Sequence, residues 1–449
     1  MIKKLHHWWQ EKRSSFWFVP AVMVLDAVVL ATVLIIVDVN ADLQIVERWP
    51  LLFGAGAAGA RGLLTAVASS MITVAGVVFS ITLVAISLTS SQYTSRVIRN
   101  FMRNRVNQVV LGVFVGIFAY CLVVLRTIRG GDEGAFVPSL AVLGGLFLAF
   151  VGIAFLIYFI HHISRSIQAS SIIASAAQET ISAVDHLFPE EGTDEDRGKD
   201  TDSSSGMPSV HPSWIAIPAM ETGYIESIEM KALLDAARKH DTVLRMERSI
   251  GEFVVEGTPL VSVSGPFEPD DRITDGMNEI YVISRQRTVE QDPAFGIRQI
   301  VDIALKALSP GINDTTTAVI CVDYLSAILI RLAPRKIAAS NLTDQGELRV
   351  ITRSTSFGNM LAQAFEQIRQ NAAGNVAVML RMLDALQTIA NLTTSQIRRR
   401  AIREQVQCIA ELAERTIKSP HDLTEFENCL ERVSEAINRQ ITANSMSLT

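Results

Sequence analysis

The chain is 449 residues long, 49% hydrophobic and 19% charged, with the apolar excess gathered ahead of His161. That texture excludes one ordinary soluble domain, and a formal net charge of −6 carried by residues of both signs gives no footing for a nucleic-acid partner. Cys121, Cys321, Cys408 and Cys429 have neither CxxC nor zinc-ligand spacing, so they are expected as buried or reduced thiols.

Four segments, 16–37, 63–88, 107–125 and 138–160, have the length and apolarity of spanning helices, which need about 20 residues to cross about 30 Å of hydrocarbon. They define a transmembrane domain over residues 1–162. The first is too long for a signal-peptide core and is expected to stay as an anchor. Asp26 sits near its middle. An ionised carboxylate there costs at least about 2.5 kcal/mol by insertion scales, so it should face the bundle or water rather than lipid. It could be protonated, bind a cation or pair with a polar group on a neighbouring helix. Between the first two spans, PLLFGAGAAGAR is too short to cross and reads as an interfacial or folded-back stretch.

Orientation follows from the basic residues. Lys3, Lys4, Lys12 and Arg13 precede the first span, and Arg96, Arg99, Arg103 and Arg105 follow the second, whereas the opposite loops hold Arg48 and Arg61, then Arg126 and Arg129. Both termini and everything after His161 are therefore expected in the cytoplasm.

The second span has a further pattern. At about 100° per residue, with Ser69 as zero, Thr65, Thr73, Gly76, Ser80, Ser87 and Ser91 fall within about 40° on either side. One apolar side chain, Leu83, shares the arc. From Thr65 to Ser91 the stripe runs about 39 Å, the full thickness of a bilayer core. It can be a water-contacting face at an oligomer axis, with Leu83 as a constriction that gates by dewetting. It can equally be a small-residue surface for close helix packing. Arg96, Arg99 and Arg103 would give a channel a positive cytoplasmic mouth, although the positive-inside rule alone accounts for them.

After the fourth span a helical pattern continues over 163–188 and stops at Pro189. Residues 189–212 hold seven acidic against two basic side chains in EEGTDEDRGKDTDSSSGMP, the composition of a disordered linker. Residues 213–270 alternate β-like runs (TGYIESIE, TVLRMER, EFVVEGTPLVSV) with the helical MKALLDAARKHD, which gives a small α+β module. Residues 271–449 are mainly helical, broken by a strand pair around GELRVITR. The expected fold is thus an α-helical membrane protein with four N-terminal spans and a mostly helical α+β cytoplasmic domain.

Within EQDPAFGIRQIVDIALKALSPGINDTTTAVICVDYL, Ser309, Asn313 and Asp314 form the most distinctive polar loop. It can hold a metal or phosphate at a helix N-terminus, or be a helix connection with an N-cap, and the missing P-loop lysine favours the second. Lys231 lies in IEMKAL, similar to a biotinyl lysine tetrapeptide, but it precedes the strands and opens a helix. His161 and His162 have no adjacent carboxylate or cysteine to complete a metal set. No GxSxG, HExxH, Walker or GxGxxG arrangement is present. The residues call for no cofactor and no catalytic group.

The blocks SMITVAGVVFSITLVAISLTSSQYTSRVIRNFMRNR and EQDPAFGIRQIVDIALKALSPGIND, with TGYIESIE and GEFVVEGTPL between them, make the chain resemble the bacterial predicted-membrane-protein family catalogued as domain of unknown function 2254. The resemblance covers nearly the whole chain and implies an inner-membrane protein with a cytoplasmic portion, without established catalytic residues. Such sequences usually have proline after GIND, where this chain has Thr315. The expected function is a homo-oligomeric ion channel or channel-like transporter whose partners are the lipid bilayer, its own copies and inorganic ions. The alternatives are a non-conducting membrane scaffold or sensor, and a membrane-bound enzyme acting through the SPGIND loop.

Overall fold

The computed structural model describes residues 17–40, 56–92, 105–129, 136–166, 168–188, 213–265, 270–337, 341–353 and 355–446. The contacts divide the chain into two compact units, Met1–Ser171 and Ile172–Thr449. The 189–212 linker lies outside the described residues.

The first unit contains α1 (Phe18–Asn40), α2 (Ala57–Gln92), α3 (Arg105–Thr127) and α4 (Ser139–Ser166). α3 is central and packs on the other three. Apolar attraction between helices is weak in hydrocarbon, so close approach at small residues has to hold such a bundle. The glycines supply it. A Cβ on Gly112 would lie 2.6 Å from Met23 Sδ and 3.1 Å from Pro20 Cα, and Gly116 repeats the contact one turn on, 3.3 Å from Met23 O. On α4, a Cβ at Gly145 would come within 2.7 Å of Leu64 Cδ2, and one at Gly152 within 2.9 Å of Met71 Sδ.

Helix ends are tied by side chains from other helices. Asp38, near the end of α1, accepts hydrogen bonds from the backbone N–H groups of Leu140 (3.1 Å) and Ala141 (3.0 Å) at the start of α4. Arg61 Nη2 donates to Ile128 O just beyond α3 at 2.8 Å. Tyr120 donates to Ala141 O at 2.6 Å. The first two satisfy groups that a helix end leaves orphaned, and the third fastens α3 to the first turn of α4. The outer surface is apolar, with Phe147 at 66% and Ile157 at 67% exposure, as a hydrocarbon surrounding permits. Of the PLLFGAGAAGAR stretch, residues 50–55 lie outside the described residues, and Ala57 to Arg61 form the opening turns of α2.

The second unit takes α5 (Ala169–Leu187) from Ile172 onward. Its buried face, Ile172, Ile173, Ala176, Ala177, Thr180, Ala183 and Val184, follows helical spacing. The sheets come next: β1 (Trp214–Pro218), β2 (Gly223–Ile228), α6 (Met230–Lys239), β3 (Leu244–Met246), β4 (Phe253–Val254), β5 (Pro259–Ser264), α7 (Asp271–Glu279) and β6 (Tyr281–Ser284). Then follow α8 (Pro293–Ala307), α9 (Thr315–Leu332), β7 (Asn341–Asp344), β8 (Glu347–Ile351), α10 (Phe357–Asn371), α11 (Val376–Asn391), α12 (Gln396–Thr416) and α13 (Pro420–Met446).

One sheet has the order β1-β5-β3-β8-β7 and the other β4-β2-β6. The β7–β8 hairpin turns at Gln345 (φ 51°) and Gly346 (φ 87°), two left-handed positions as a tight hairpin requires. β8 then pairs parallel to β3, Leu244 opposite Val350. The module that begins at residue 213 is therefore completed by strands from beyond residue 270.

Among the described residues, five helices are long and apolar enough to cross a membrane: α1 to α4 and, in addition, α9. In the second unit α9 packs on α8, α10 and α11 and buries Ala318, Cys321, Val322, Leu325, Ile328, Leu329 and Leu332. A core helix with neighbours on several sides acquires an apolarity close to that of a span.

α5 meets α8 at Gly296, where a Cβ would collide with Thr180 Oγ1 and stand 2.9 Å from Thr180 Cβ. Gly296→Ala should therefore destabilise the second unit by ~1–3 kcal/mol, the usual range for overpacking. Gly311→Ala, where a Cβ meets nothing within 4 Å, should not. A thermal melt of both full-length variants checks the difference.

Candidate functional site

The face of α2 that packs into the bundle is Leu64, Ala68, Met71, Ala75, Val78, Thr82 and Ala85, all buried. Thr65, Ser69, Thr73, Gly76, Ser80, Leu83 and Ser87 are all exposed. At about 100° per residue the centres of these two faces are about 150° apart. The structure thus brings the stripe residues together on the side of α2 turned away from α3 and α4. Among the described residues, close packing does not use them. A Cβ added to Gly62 or Gly76 would meet nothing within 4 Å, and Leu83 is 51% exposed. Thr73 Oγ1 donates to Ser69 O at 2.7 Å, and Ser70 Oγ to Ala66 O at 2.7 Å. Ser91's side chain and Arg96, Arg99 and Arg103 lie outside the described residues.

Asp26 is exposed on α1, while Pro20 and Ala31 of the same helix are buried. Its carboxyl is therefore on the bundle's outer surface and not in its interior.

The Ser309–Asp314 loop is a helix connection. Ser309 O accepts from Ile312 N (3.0 Å) and Asn313 N (2.9 Å), and Asn313 takes the left-handed φ of 48° that lets the chain turn into α9. Asp314 is the N-cap of α9: its Oδ1 accepts from Thr317 N at 3.0 Å and its Oδ2 from Thr317 Oγ1 at 2.5 Å. Thr315 Oγ1 accepts from Asn375 Nδ2 at 2.8 Å, which fastens the start of α9 to the N-cap residue of α11. Thr317's hydroxyl and N–H hold the Asp314 carboxyl below the usual carboxylate range. Both oxygens of this carboxylate are thus engaged by its own helix, the arrangement of a cap.

A family model described as "Predicted membrane protein (DUF2254)" matches residues 13–388. The chain belongs to this family. It is also 34% identical over 395 residues, 87% of its own length and 75% of theirs, to uncharacterized proteins of Mycobacterium bovis and Mycobacterium tuberculosis. No solved structure matches.

The two sequence blocks that carry the family likeness have distinct physical roles. The first contains the outward face of α2. The second starts α8, where Asp292 caps the helix through Phe295 N (3.1 Å) and takes Arg287 Nε (2.9 Å) and Nη2 (2.6 Å) on its other oxygen. Arg287 also lies over the Phe295 ring at 5.0 Å. Burial raises the Asp292 carboxyl against the opposing pull of Arg287. Gly296, in the same block, admits α5. These residues are explained as construction of the second unit.

Sequence reasoning passed over Asp38 and Arg61, whose partners are more than sixty residues away, and Asp185, which pairs with Arg331 and Arg335, each at 2.7 Å. The only sequence signal available for Asp38 was a carboxylate directly after an apolar run. Among the described residues, no group of three or more His, Cys, Asp or Glu is placed to hold a metal ion. His162 stacks on Tyr158 with centroids 6.0 Å apart.

Asp314→Ala should cost about 0.5–2 kcal/mol, the usual loss for an N-cap, with little effect on the first unit. Because this carboxyl is depressed in the folded state, its contribution is complete above the unfolded value of about 3.9 and is lost as pH falls through the lower folded value. Melts between neutral pH and the acid range should show the wild type losing part of its margin over Asp314→Asn as the solution becomes acidic.

Proposed function

We propose that this family member is a homo-oligomeric, channel-like transport protein of the bacterial inner membrane. In this reading α1 to α4 span the bilayer, both termini and the second unit are cytoplasmic, and the hydroxyl face of α2 borders a path shared between copies. The supporting observation is the outward direction of that face. Among the described residues, seven residues of the stripe are exposed while the opposite side of the same helix is buried, which supports reading this hydroxyl face as one that meets water or another copy.

Leu83 is the constriction of this path, a single apolar ring in a hydroxyl-lined channel being the element that gates by dewetting. α9 is read as core of the cytoplasmic unit. It carries Asp323, paired with Arg381, and Arg331, paired with Asp185, and charges of that kind are costly in hydrocarbon. The cytoplasmic unit begins on α5, which follows α4 after only two residues. In this reading it assembles copies and couples a ligand or ionic signal to the last span. Inorganic ions are the transported class, and no cofactor takes part.

A non-conducting scaffold is the second reading, favoured by one detail. Ser70 and Thr73 return their hydroxyl hydrogens to their own helix, which suits a face packed against another helix as well as a wet one. The enzyme reading through SPGIND stands third, since both oxygens of Asp314 are engaged as a cap.

Purified protein in liposomes should pass ions, and Leu83→Ser should raise the flux several-fold. No flux across a broad ion panel, from protein with a monomeric mass in detergent, would sink the channel reading.

A further inference from the structure

α5 is the helix through which the chain passes from the first unit to the second. α4 ends at Ser166, α5 begins at Ala169, and the division between the units falls after Ser171. Any movement of α4 relative to the second unit has to be taken up by the chain ahead of Ile172 or by α5 itself.

The attachment of α5 changes along its length. At its C-terminal end Asp185 pairs with Arg331 and Arg335, each at 2.7 Å, and Arg335 also donates to Asp185 O at 3.3 Å and to Phe188 O. Arg335 is buried, and Arg398 of α12 holds the carbonyls of Ala333 and Arg335. A guanidinium held in place and closing a helix end is a firm anchor. Further back, Thr180 rests on Gly296 of α8, where there is room for nothing larger than hydrogen.

Ahead of Thr180 the fit is poorer. Ala183 clusters with Val289 and Phe295, which precede Gly296, so α5 and α8 run antiparallel and the residues before Thr180 face those after Gly296. Gln299, three residues beyond Gly296, is on the same side of α8 and level with Ala176 and Ala177. It is 4% exposed, and its Oε1 has no hydrogen-bond partner. The two alanines present only methyl groups, and the Thr180 hydroxyl donates to Ala176 O at 2.7 Å. A buried carbonyl oxygen in this position has lost its water without gaining a donor, a cost that ends when water returns. Elsewhere α8 is tied by complete polar contacts to α10, Gln363 Nε2 donating to Ala294 O at 2.9 Å and Arg298 Nη1 to Gln367 Oε1 at 2.7 Å.

We propose that α5 is a strap hinged at Asp185 and Phe188, whose length from Ile172 to Thr180 lifts off α8 while the rest of the second unit stays folded. Lifting hydrates Gln299 Oε1. It gives up Ile172 and Ile173 and, beyond them, the small groups Ala176, Ala177 and Thr180, while Arg335 keeps its hold on the hinge. A helix of 19 residues stripped of its packing is marginal in water, so the lifted strap also loses the protection of its backbone amides. The strap does not depend on ion conduction. Within the functional reading it is the moving part between the last span and the cytoplasmic unit.

Amide hydrogen exchange, followed by mass spectrometry on the full-length protein in detergent, reads the strap directly. Amides of residues 173–181 should exchange about tenfold faster, or more, than those of α8 from Ile297 to Ala307, as a separately opening segment does. Gln299→Met, close in volume and without a carbonyl to hydrate, should slow the strap about tenfold and leave α11 unchanged. Gln299→Leu should act in the same direction. Strap amides that exchange only together with α8 overturn the proposal. So does exchange that is unchanged or faster in both variants, the second result meaning that Gln299 holds α5 down. Ion flux in liposomes is a separate readout and bears on the functional reading alone.

Discussion

Gly112 and Gly116 allow α1 to lie directly on the backbone of α3, and the first unit depends on that approach. An apolar solvent rewards no burial of leucine, so helices in it adhere through backbone proximity and through polar groups that find partners. The same device recurs where Gly145 meets Leu64 and Gly152 meets Met71. Once α3 is enclosed, Asp38, Arg61 and Tyr120 can reach the helix ends they tie. Those bonds select one arrangement of the four helices, because slipping any helix by a turn would strand a donor or an acceptor.

The second unit obeys the rules of water-soluble cores, with an unusual use of arginine. Arg399 is 1% exposed and donates to the carbonyls Thr393 O (2.9 Å), Ala390 O (3.2 Å) and Ile437 O (2.7 Å). Two of these belong to the end of α11 and its following turn and the third to α13. A guanidinium's fixed fork of donors suits several orphaned carbonyls at once, and a cation is favourable at a helix C-terminus. Burial in turn lowers its proton affinity, with Arg403 acting in the same direction. Arg398 plays the parallel part at the end of α9, donating to Ala333 O and Arg335 O. Helix ends in both units are thus closed by side chains from elsewhere in the chain.

What the sequence made legible follows from the range of each interaction. The four N-terminal apolar helices were visible because about 20 consecutive apolar residues is a local property. The strands TGYIESIE and GEFVVEGTPLVSV and the Asp314 cap were equally local. The parallel pairing of β3 with β8 joins Leu244 to Val350, and no window of periodicity spans that interval. Within QIRRRAIREQ, Arg398 and Arg399 are buried because the carbonyls they serve are tertiary neighbours, which no local pattern shows. α9 looked like an ordinary helix of the soluble half, although by length and apolarity it matches a span. In the candidate site, projection found the stripe, and the direction of the stripe relative to α3 and α4 needed the folded bundle.

That direction carries the functional reading. α2 has small residues on two faces, and they differ in chemistry. The inner face uses alanines, Ala60, Ala68, Ala75 and Ala85, all buried, where a methyl group fills the space between helices and makes no polar demand. The outer face uses Ser69, Thr73, Ser80 and Ser87, which bring hydroxyl oxygens at no great gain in volume. If the outer face met only lipid chains, leucine or valine would serve at least as well, as they do on the exposed side of α1 at Leu25 and Val29. Hydroxyls on that face suit water or a polar group from another chain, while at Thr73 the helix's own carbonyl of Ser69 already takes the hydroxyl hydrogen.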